Sequence, residues 1–402
     1  MAKMKDKMTR LLRHALLLCL CLALLAGPAL ANEVVDLCAE GYDSIGYSCC
    51  TLPDGRLIIT GQRGTVGNHA DSRARLVCLN PDMTVSWDYF DPEEGGCRFI
   101  DAVVLQDGTI GAVFDNSPYQ NPVAKKLKFF TQDGQPTGKE ISLGKGDCFV
   151  SVTDSILILH YLSDQQGVDL IDWQGNLIRH FEISEWPAKG SDRYFYEEDG
   201  MVCYSFDVDC GVGFARIVKI DYDGKLLWET VLPHMHENVI NATLVDCIKT
   251  EDGGYLALLG ETDPDCKVWQ DMLVKFSADG RLLWTNEKCF EQYKDYVCRD
   301  IELCKGKVVL QLDQTEYDTG MDRPYLYLWT DENGNELGTT ELIPRKEDLV
   351  RYGNARNLHC VGFIMYMIGD DLWVNGHFYE ENRDYEKEMA SVEELFYKVP
   401  EL

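Results

Sequence analysis

Asp252-Gly253-Gly254-Tyr255-Leu256-Ala257-Leu258-Leu259-Gly260, then Met272-Leu273-Val274-Lys275-Phe276, then Asp279-Gly280-Arg281-Leu282-Leu283-Trp284: these three segments decide the fold. Asp-Gly opens a tight turn because both residues reach positive φ at low cost. Tyr255 to Leu259 is a short apolar run of strand length, and Met272 to Phe276 is a second. Another Asp-Gly turn leads into Leu282-Leu283-Trp284, a third. With the apolar segment before Glu251 the unit has four strands: strand, tight turn, strand, loop, strand, tight turn, strand.

The same unit recurs along the chain with a period near 50 residues, and a period of that size marks a repeat architecture. First turns fall at Pro53-Asp54-Gly55, Gln106-Asp107-Gly108, Thr153-Asp154-Ser155, Glu198-Asp199-Gly200, Glu251-Asp252-Gly253, Cys304-Lys305-Gly306 and Gly369-Asp370-Asp371. Second turns fall at Asn80-Pro81-Asp82-Met83, Gln132-Asp133-Gly134, Trp173-Gln174-Gly175, Tyr222-Asp223-Gly224, Ala278-Asp279-Gly280 and Glu332-Asn333-Gly334. Four-stranded antiparallel meanders repeated about an axis make the blades of a β-propeller.

There are seven first turns but six second turns, so the last unit lacks its fourth strand. Glu33-Val34-Val35-Asp36-Leu37 is strand-like and belongs to no unit. Placed beside Leu395 to Val399 it completes the last sheet and removes an exposed edge, which sheet proteins must manage. The expected fold is all-β: a seven-bladed propeller closed by its two ends, with six or eight blades if the third or final unit is parsed otherwise.

Residues 1–31 read as a secretory signal. Lys3, Lys5, Lys7, Arg10 and Arg13 precede an apolar core from Ala15 to Leu25, which is too short to span a bilayer. Gly27-Pro28 and Ala29-Leu30-Ala31 follow, placing cleavage between Ala31 and Asn32 and leaving residues 32–402 as one extracytoplasmic domain without a membrane span. The whole chain carries a net charge of −29; losing five bases and Asp6 takes it to −33. Such a charge repels phosphate backbones and excludes nucleic acid as a partner.

Fourteen of the 16 cysteines lie beyond the signal. Outside the cytoplasm disulfides are permitted. The pair best placed for one is Cys203 with Cys210, read as flanking a hairpin turn at Phe206-Asp207-Val208; Cys50, Cys247 and Cys304 fall inside apolar strands and read as buried thiols.

Asp279-Gly280-Arg281-Leu282-Leu283-Trp284 and Ile220-Asp221-Tyr222-Asp223-Gly224-Lys225-Leu226-Leu227-Trp228 resemble the repeats of bacterial secreted propellers of the pyrroloquinoline-quinone-like type. The resemblance implies that the turn glycine and the tryptophan four residues on pack one blade against the next. It is strong in two or three units; the first, second, third and sixth lack the glycine, the tryptophan or both. Quinone-dependent alcohol dehydrogenases of this type carry an adjacent-cysteine disulfide beside the cofactor, and Cys49-Cys50 matches it in sequence. Adjacent strand residues nevertheless point to opposite faces, the ordinary arrangement of two unrelated thiols.

His234-x-His236 has the spacing of a zinc pair but no third ligand nearby, and reads as two solvated histidines. Asp221-Tyr222-Asp223-Gly224 lacks the remaining calcium-loop ligands. No Gly-x-Ser-x-Gly elbow, phosphate loop or His-Glu-x-x-His motif is present. The sequence therefore assigns no catalytic, cofactor-binding or metal residue. It points to a monomeric, non-catalytic propeller holding a peptide, glycan or protein at one face. The alternative is a quinoprotein-like oxidoreductase or a hydrolase with its site at the mouth of the central channel.

Overall fold

The computed structural model describes residues 34–37, 42–65, 68–93, 95–105, 107–116, 125–143, 148–152, 156–161, 167–182, 185–187, 194–209, 212–263, 269–314, 324–345, 358–380 and 392–402. The signal-like residues 1–31 lie outside that set. Within it the chain is β-structure, with one 3-10 turn at Lys288–Phe290. The first sheet is the meander Tyr42–Thr51, Leu57–Thr65, Asn68–Leu79 and Val85–Phe90. Residues 98–142, 148–182 and 296–342 form three further sheets of the same order. Residues 194–231 and 241–286 form two more meanders, joined by one parallel bridge between Gly213 and Asn241.

The last sheet, Leu358–Ile368, Asp371–Glu380 and Val392–Lys398, takes Val34–Asp36 as its fourth strand. The register places Val34 opposite Tyr397, Val35 opposite Phe396 and Asp36 opposite Leu395. The orphan strand at the front of the chain thus supplies the edge that the seventh unit lacks.

Burial falls across each sheet and explains the sequence pattern. Tyr255–Thr262, a second strand, is buried at every position because neighbouring sheets cover both its faces. A continuous apolar run is what such a strand requires. The fourth strand Leu226–Val231 is half open, and Leu226, Leu227 and Val231 are exposed. Among the described residues, seven apolar clusters lie between neighbouring meanders. One joins Val202, Ala215 and Ile217 to Leu244, Ala257 and Val274. Another joins Leu57, Ile59 and Val77 of the first sheet to Ile368, Trp373 and Phe396 of the last, with Leu37 between.

The turns differ from the expectation of two-residue Asp-Gly hairpins. At Ser277 to Arg281, Gly280 N–H donates to Ser277 O at 2.9 Å and Ser277 N–H donates to Arg281 O at 2.9 Å. That is a three-residue loop with glycine alone in the left-handed region, φ +78. Leu52–Arg56 and Asp221–Lys225 are bonded in the same way. The aspartate keeps negative φ, and the extra residue is absorbed as a bulge. Lys305-Gly306 is a true two-residue turn, with φ of 52 and 73 between the paired Cys304 and Lys307.

A second correction concerns Phe206-Asp207-Val208. These residues are not a turn but part of the strand Gly200–Asp209, facing Ala215, Phe214 and Gly213. β-branched and aromatic residues favour extended backbone here over a turn. Cys203 lies opposite Val218 on that strand, while Cys210 is outside the described residues. Without the turn, the geometric reason for bridging them is gone.

Candidate functional site

The turns between first and second and between third and fourth strands lie at one end of the strands; the other connections lie at the opposite end, where Thr65 pairs with Asn68 and Asp209 with Val212. The ionisable side chains described at that second end form the candidate site. Arg98, on a first strand, donates to Asp115 at 3.0 and 3.2 Å. Its guanidinium stands 5.4 Å from the centroid of the Tyr47 ring. Burial works to lower the Arg98 pKa, but the bonds to Tyr47 and Asp115 outweigh it and the net shift is upward. In the sixth unit Arg299 and Asp313 are 3.7 Å apart, and burial raises the Asp313 carboxyl despite Gln311 and Arg299. Asp115 and Asp313 lie at equivalent positions near the ends of their second strands, opposite Arg98 and Val297, and Glu261 lies one residue further along in the fifth unit, opposite Ala242. Sequence reasoning passed over them, although an acid ending an apolar strand was a visible signal.

A cavity of about 340 Å3 opens in the fifth unit, lined by Met235, His236, Met272, Thr285, Asn286, Glu287 and Lys288. His236 stands at its edge between two carboxylates: Nδ1 is 2.7 Å from Glu261 and Nε2 is 2.9 Å from Glu287. Glu261 is fully buried and also accepts the Met235 N–H at 2.7 Å. His234 turns elsewhere, its Nε2 2.8 Å from Gly213 O and its ring stacked on Phe214. The two imidazoles therefore do not share a ligand, and His236 is clamped rather than solvated.

Burial acts to lower the His236 pKa; hydrogen bonds to Glu261 and Glu287 more than reverse it, so the imidazolium is favoured. A raised histidine pKa stabilises the fold fully below the unfolded value near ~6.5, and the contribution fades as pH climbs through the folded value. Asp252, held at about 2 by Thr250 and Lys275, acts at the acid end instead. His236→Gln should therefore lower the melting temperature most at pH 5–6, with the gap from wild type narrowing as pH rises past 7. Paired melting curves from pH 5 to 9 check this; a gap that widens with pH would refute it.

The cysteines sort by face. Cys49 packs with Leu57 and Phe396 on one side of the first sheet, and Cys50 with Phe99 and Phe114 on the other. Burial, followed by Asp101, pushes Cys50 up to about 12. Burial likewise raises the fully enclosed Cys247 and Cys298 well above the ordinary thiol value. Such thiols are poor nucleophiles because the thiolate is the reactive form. Among the described residues no group of three or more His, Cys, Asp or Glu is arranged to hold a metal ion.

Three aspartates that the sequence reading missed stitch the sheets together. Asp300 accepts the N–H of Ile301 at 3.0 Å and, across to the next sheet, that of Met365 at 2.9 Å. Asp246 accepts Cys247 N–H at 2.8 Å and the Tyr204 hydroxyl at 3.2 Å. Asp101 accepts Ala102 N–H at 2.8 Å and the Ser48 hydroxyl at 2.9 Å. Each sits at a bulge of a first strand, where a backbone N–H left out of the ladder must find an acceptor.

No protein-family model matches this chain, and no curated protein matches it. Solved structures do match, and one of them is described as a β-propeller domain. One of two prolyl endopeptidases studied for inter-domain dynamics aligns with a TM-score of 0.50 and 11% identity, over 89% of this chain and 50% of that one. The β-propeller domain of the Trilobed protease from Pyrococcus furiosus aligns at 0.49 and 12%, over 89% of this chain and 93% of that domain. A protein of unknown function from Dyadobacter fermentans aligns at 0.44 and 11%, over 93% and 99%. At these identities the likeness concerns architecture alone. The chain spans half the length of the endopeptidase, and that enzyme's activity is not carried with the fold.

Proposed function

We propose that this chain is a secreted, non-catalytic binding or scaffold protein. It acts as a monomer after cleavage between Ala31 and Asn32, and its seven units are blades of one ring shut by Val34–Asp36. The partner, a peptide, glycan or protein, binds at the face away from the first and second turns. Support for the ring comes from the pairing of Val35 with Phe396 and from the cluster joining first and last sheets.

The observation carrying the functional reading is the pairing of three acids described on that face. Asp115 is taken by Arg98, Glu261 by His236 and a backbone N–H, and the buried Asp91 by Lys128 at 2.8 Å. Acid–base catalysis needs a group with a spare proton or lone pair within reach of substrate. Closed pairs instead hold loops in fixed positions, which suits recognition.

Residues 32–402 should bind selectively in a panel of glycans and extended peptides. They should show no dye reduction with added calcium and pyrroloquinoline quinone, and no turnover of ester, peptide or glycoside substrates. Selective binding without turnover is the expected result; quinone-dependent reduction or hydrolysis abolished by a substitution at this face would overturn it.

A further inference from the structure

Acids outnumber bases by 67 to 38 along this chain, so a lysine that meets no acid stands out. Lys126, Lys128, Lys219, Lys275 and Lys398 each reach a carboxylate. Among the described residues the Lys288 ammonium reaches none, although Glu287 precedes it in the chain. Glu287 is held elsewhere, its Oε2 2.9 Å from His236 Nε2. Lys288 lines the cavity of about 340 Å3 in the fifth unit, a volume within the usual range of small-ligand sites.

The rest of the wall narrows what would fill that space. Met235 and Met272 supply an apolar side; Met272 is 2% exposed in the cluster between the fourth and fifth units, and Met235 packs against it. Thioethers are flexible and polarisable, so they adapt to apolar groups of varied outline. Of the polar groups, Asn286 is spent: its amide donates to Asn333 O and Gly334 O, and its oxygen accepts the Lys288 backbone N–H. His236 is spent on Glu261 and Glu287, and it ties the two sides of the cavity together. Three groups remain for a ligand: the Lys288 ammonium, the Thr285 hydroxyl and the second oxygen of Glu287. A cation and two acceptors beside an apolar wall match a ligand with a carboxylate, an N–H and an apolar side chain on neighbouring atoms.

We propose that this cavity binds the C-terminal residue of a peptide. The carboxylate meets Lys288, the amide N–H donates to Glu287 or Thr285, and an apolar side chain lies against Met235 and Met272. A neutral glycan offers neither the anion nor the apolar body. The inference rests on the reading that this face holds a partner, and it narrows that partner to a peptide end.

The test titrates residues 32–402 with N-acetyl-leucine, N-acetyl-leucinamide and free leucine, followed by calorimetry and by the methionine methyl resonances. N-acetyl-leucine should bind saturably and shift the Met235 methyl signal. N-acetyl-leucinamide, which lacks the carboxylate, should bind at least about tenfold more weakly, the loss of one charge-assisted hydrogen bond. Lys288→Gln should remove that difference between the two ligands without lowering the melting temperature. Lys225→Gln, in the second turn of the fourth unit at the opposite end, should leave binding unchanged. Equal binding of acid and amide, or a preference for acid that survives Lys288→Gln, would overturn the proposal. Tighter binding of free leucine than of N-acetyl-leucine would overturn it too, because the site would then take free amino acids and not a peptide end. If another peptide or a glycan binds while N-acetyl-leucine does not, this inference fails and the broader reading stands. Turnover at this face with N-acetyl-leucine still bound would remove the broader reading and leave the cavity assignment in place.

Discussion

A chain beginning at residue 38 is expected to be several kcal/mol less stable than one beginning at residue 32, and to aggregate on heating where the longer chain refolds. The loss has separate sources. Leu37 is 5% exposed within the cluster joining the first and last sheets. Removing such a side chain costs about 2 kcal/mol of burial. Arg75 loses the Leu37 carbonyl, and a buried charged donor left without its acceptor costs about 1.5–3 kcal/mol. The strand Val392–Lys398 loses its pairing from Tyr397 to Leu395 and becomes an open, largely apolar edge. An edge of that kind recruits other chains. The first two losses together, roughly 3.5–5 kcal/mol, approach the whole stability of many domains. Chemical denaturation of the two chains, with light scattering during a thermal ramp, measures it. Equal midpoints would mean that Val34–Asp36 contributes no closure, and the proposed ring would lose its main support.

How far the sequence discloses this structure depends on the kind of signal. The four-stranded meander and the pairing of Val34 and Val35 with the last sheet were legible because they rest on counting: seven first turns, six second turns and one strand without a unit. The turn geometry was not. Asp-Gly suits both a two-residue hairpin and a three-residue loop, and the choice depends on whether a bulge follows, as at Lys275 and Phe276. The hairpin read at Phe206-Asp207-Val208 failed because a central aspartate outweighed two strand-forming neighbours in the reading. Asp207 is simply a polar residue on a long strand.

The candidate site was legible least of all. His234 and His236 stood out by spacing, yet what gives His236 its character is Glu261 and Glu287, 25 and 51 residues away. Glu261 follows directly on the run ending at Gly260 and was not singled out. Asp101 and Asp246 did leave a trace: each lies six residues before a turn aspartate, Asp107 and Asp252. The offset is not kept in every unit: Ser48 stands six before Asp54, but Cys148 and Ile364 stand six before Asp154 and Asp370, and Asp300 stands five before Lys305, so the signal is broken along the chain.

The tryptophan–glycine contact implied by the repeat resemblance does occur, and it supports the second large prediction. The Trp228 ring of the fourth unit covers Gly280, in the second turn of the fifth; Trp87 of the first unit covers Gly134 of the second in the same way, its Nε1 donating to Gln132 O at 3.0 Å. A methyl group on Gly280 would stand 2.4 Å from the Trp228 ring. Gly280→Ala therefore meets two costs. Holding an L-residue at φ +78 costs about 1–2 kcal/mol, and forcing a methyl group into a packed contact costs about 1–3 kcal/mol more. Gly253 separates the two. It has nearly the same φ, +79, but the nearest atom to its added methyl is Ala278 Cβ at 4.0 Å. Gly253→Ala should lose about 1–2 kcal/mol from backbone strain alone, and Gly280→Ala about 2–5 kcal/mol. Adding Trp228→Ala should make Gly280→Ala cost no more than Gly253→Ala, because the methyl group then has room. If the two glycine variants prove equally stable, the ring is not wedged against the turn, and the contact between these units rests on the apolar cluster around Ala257 and Val274 alone.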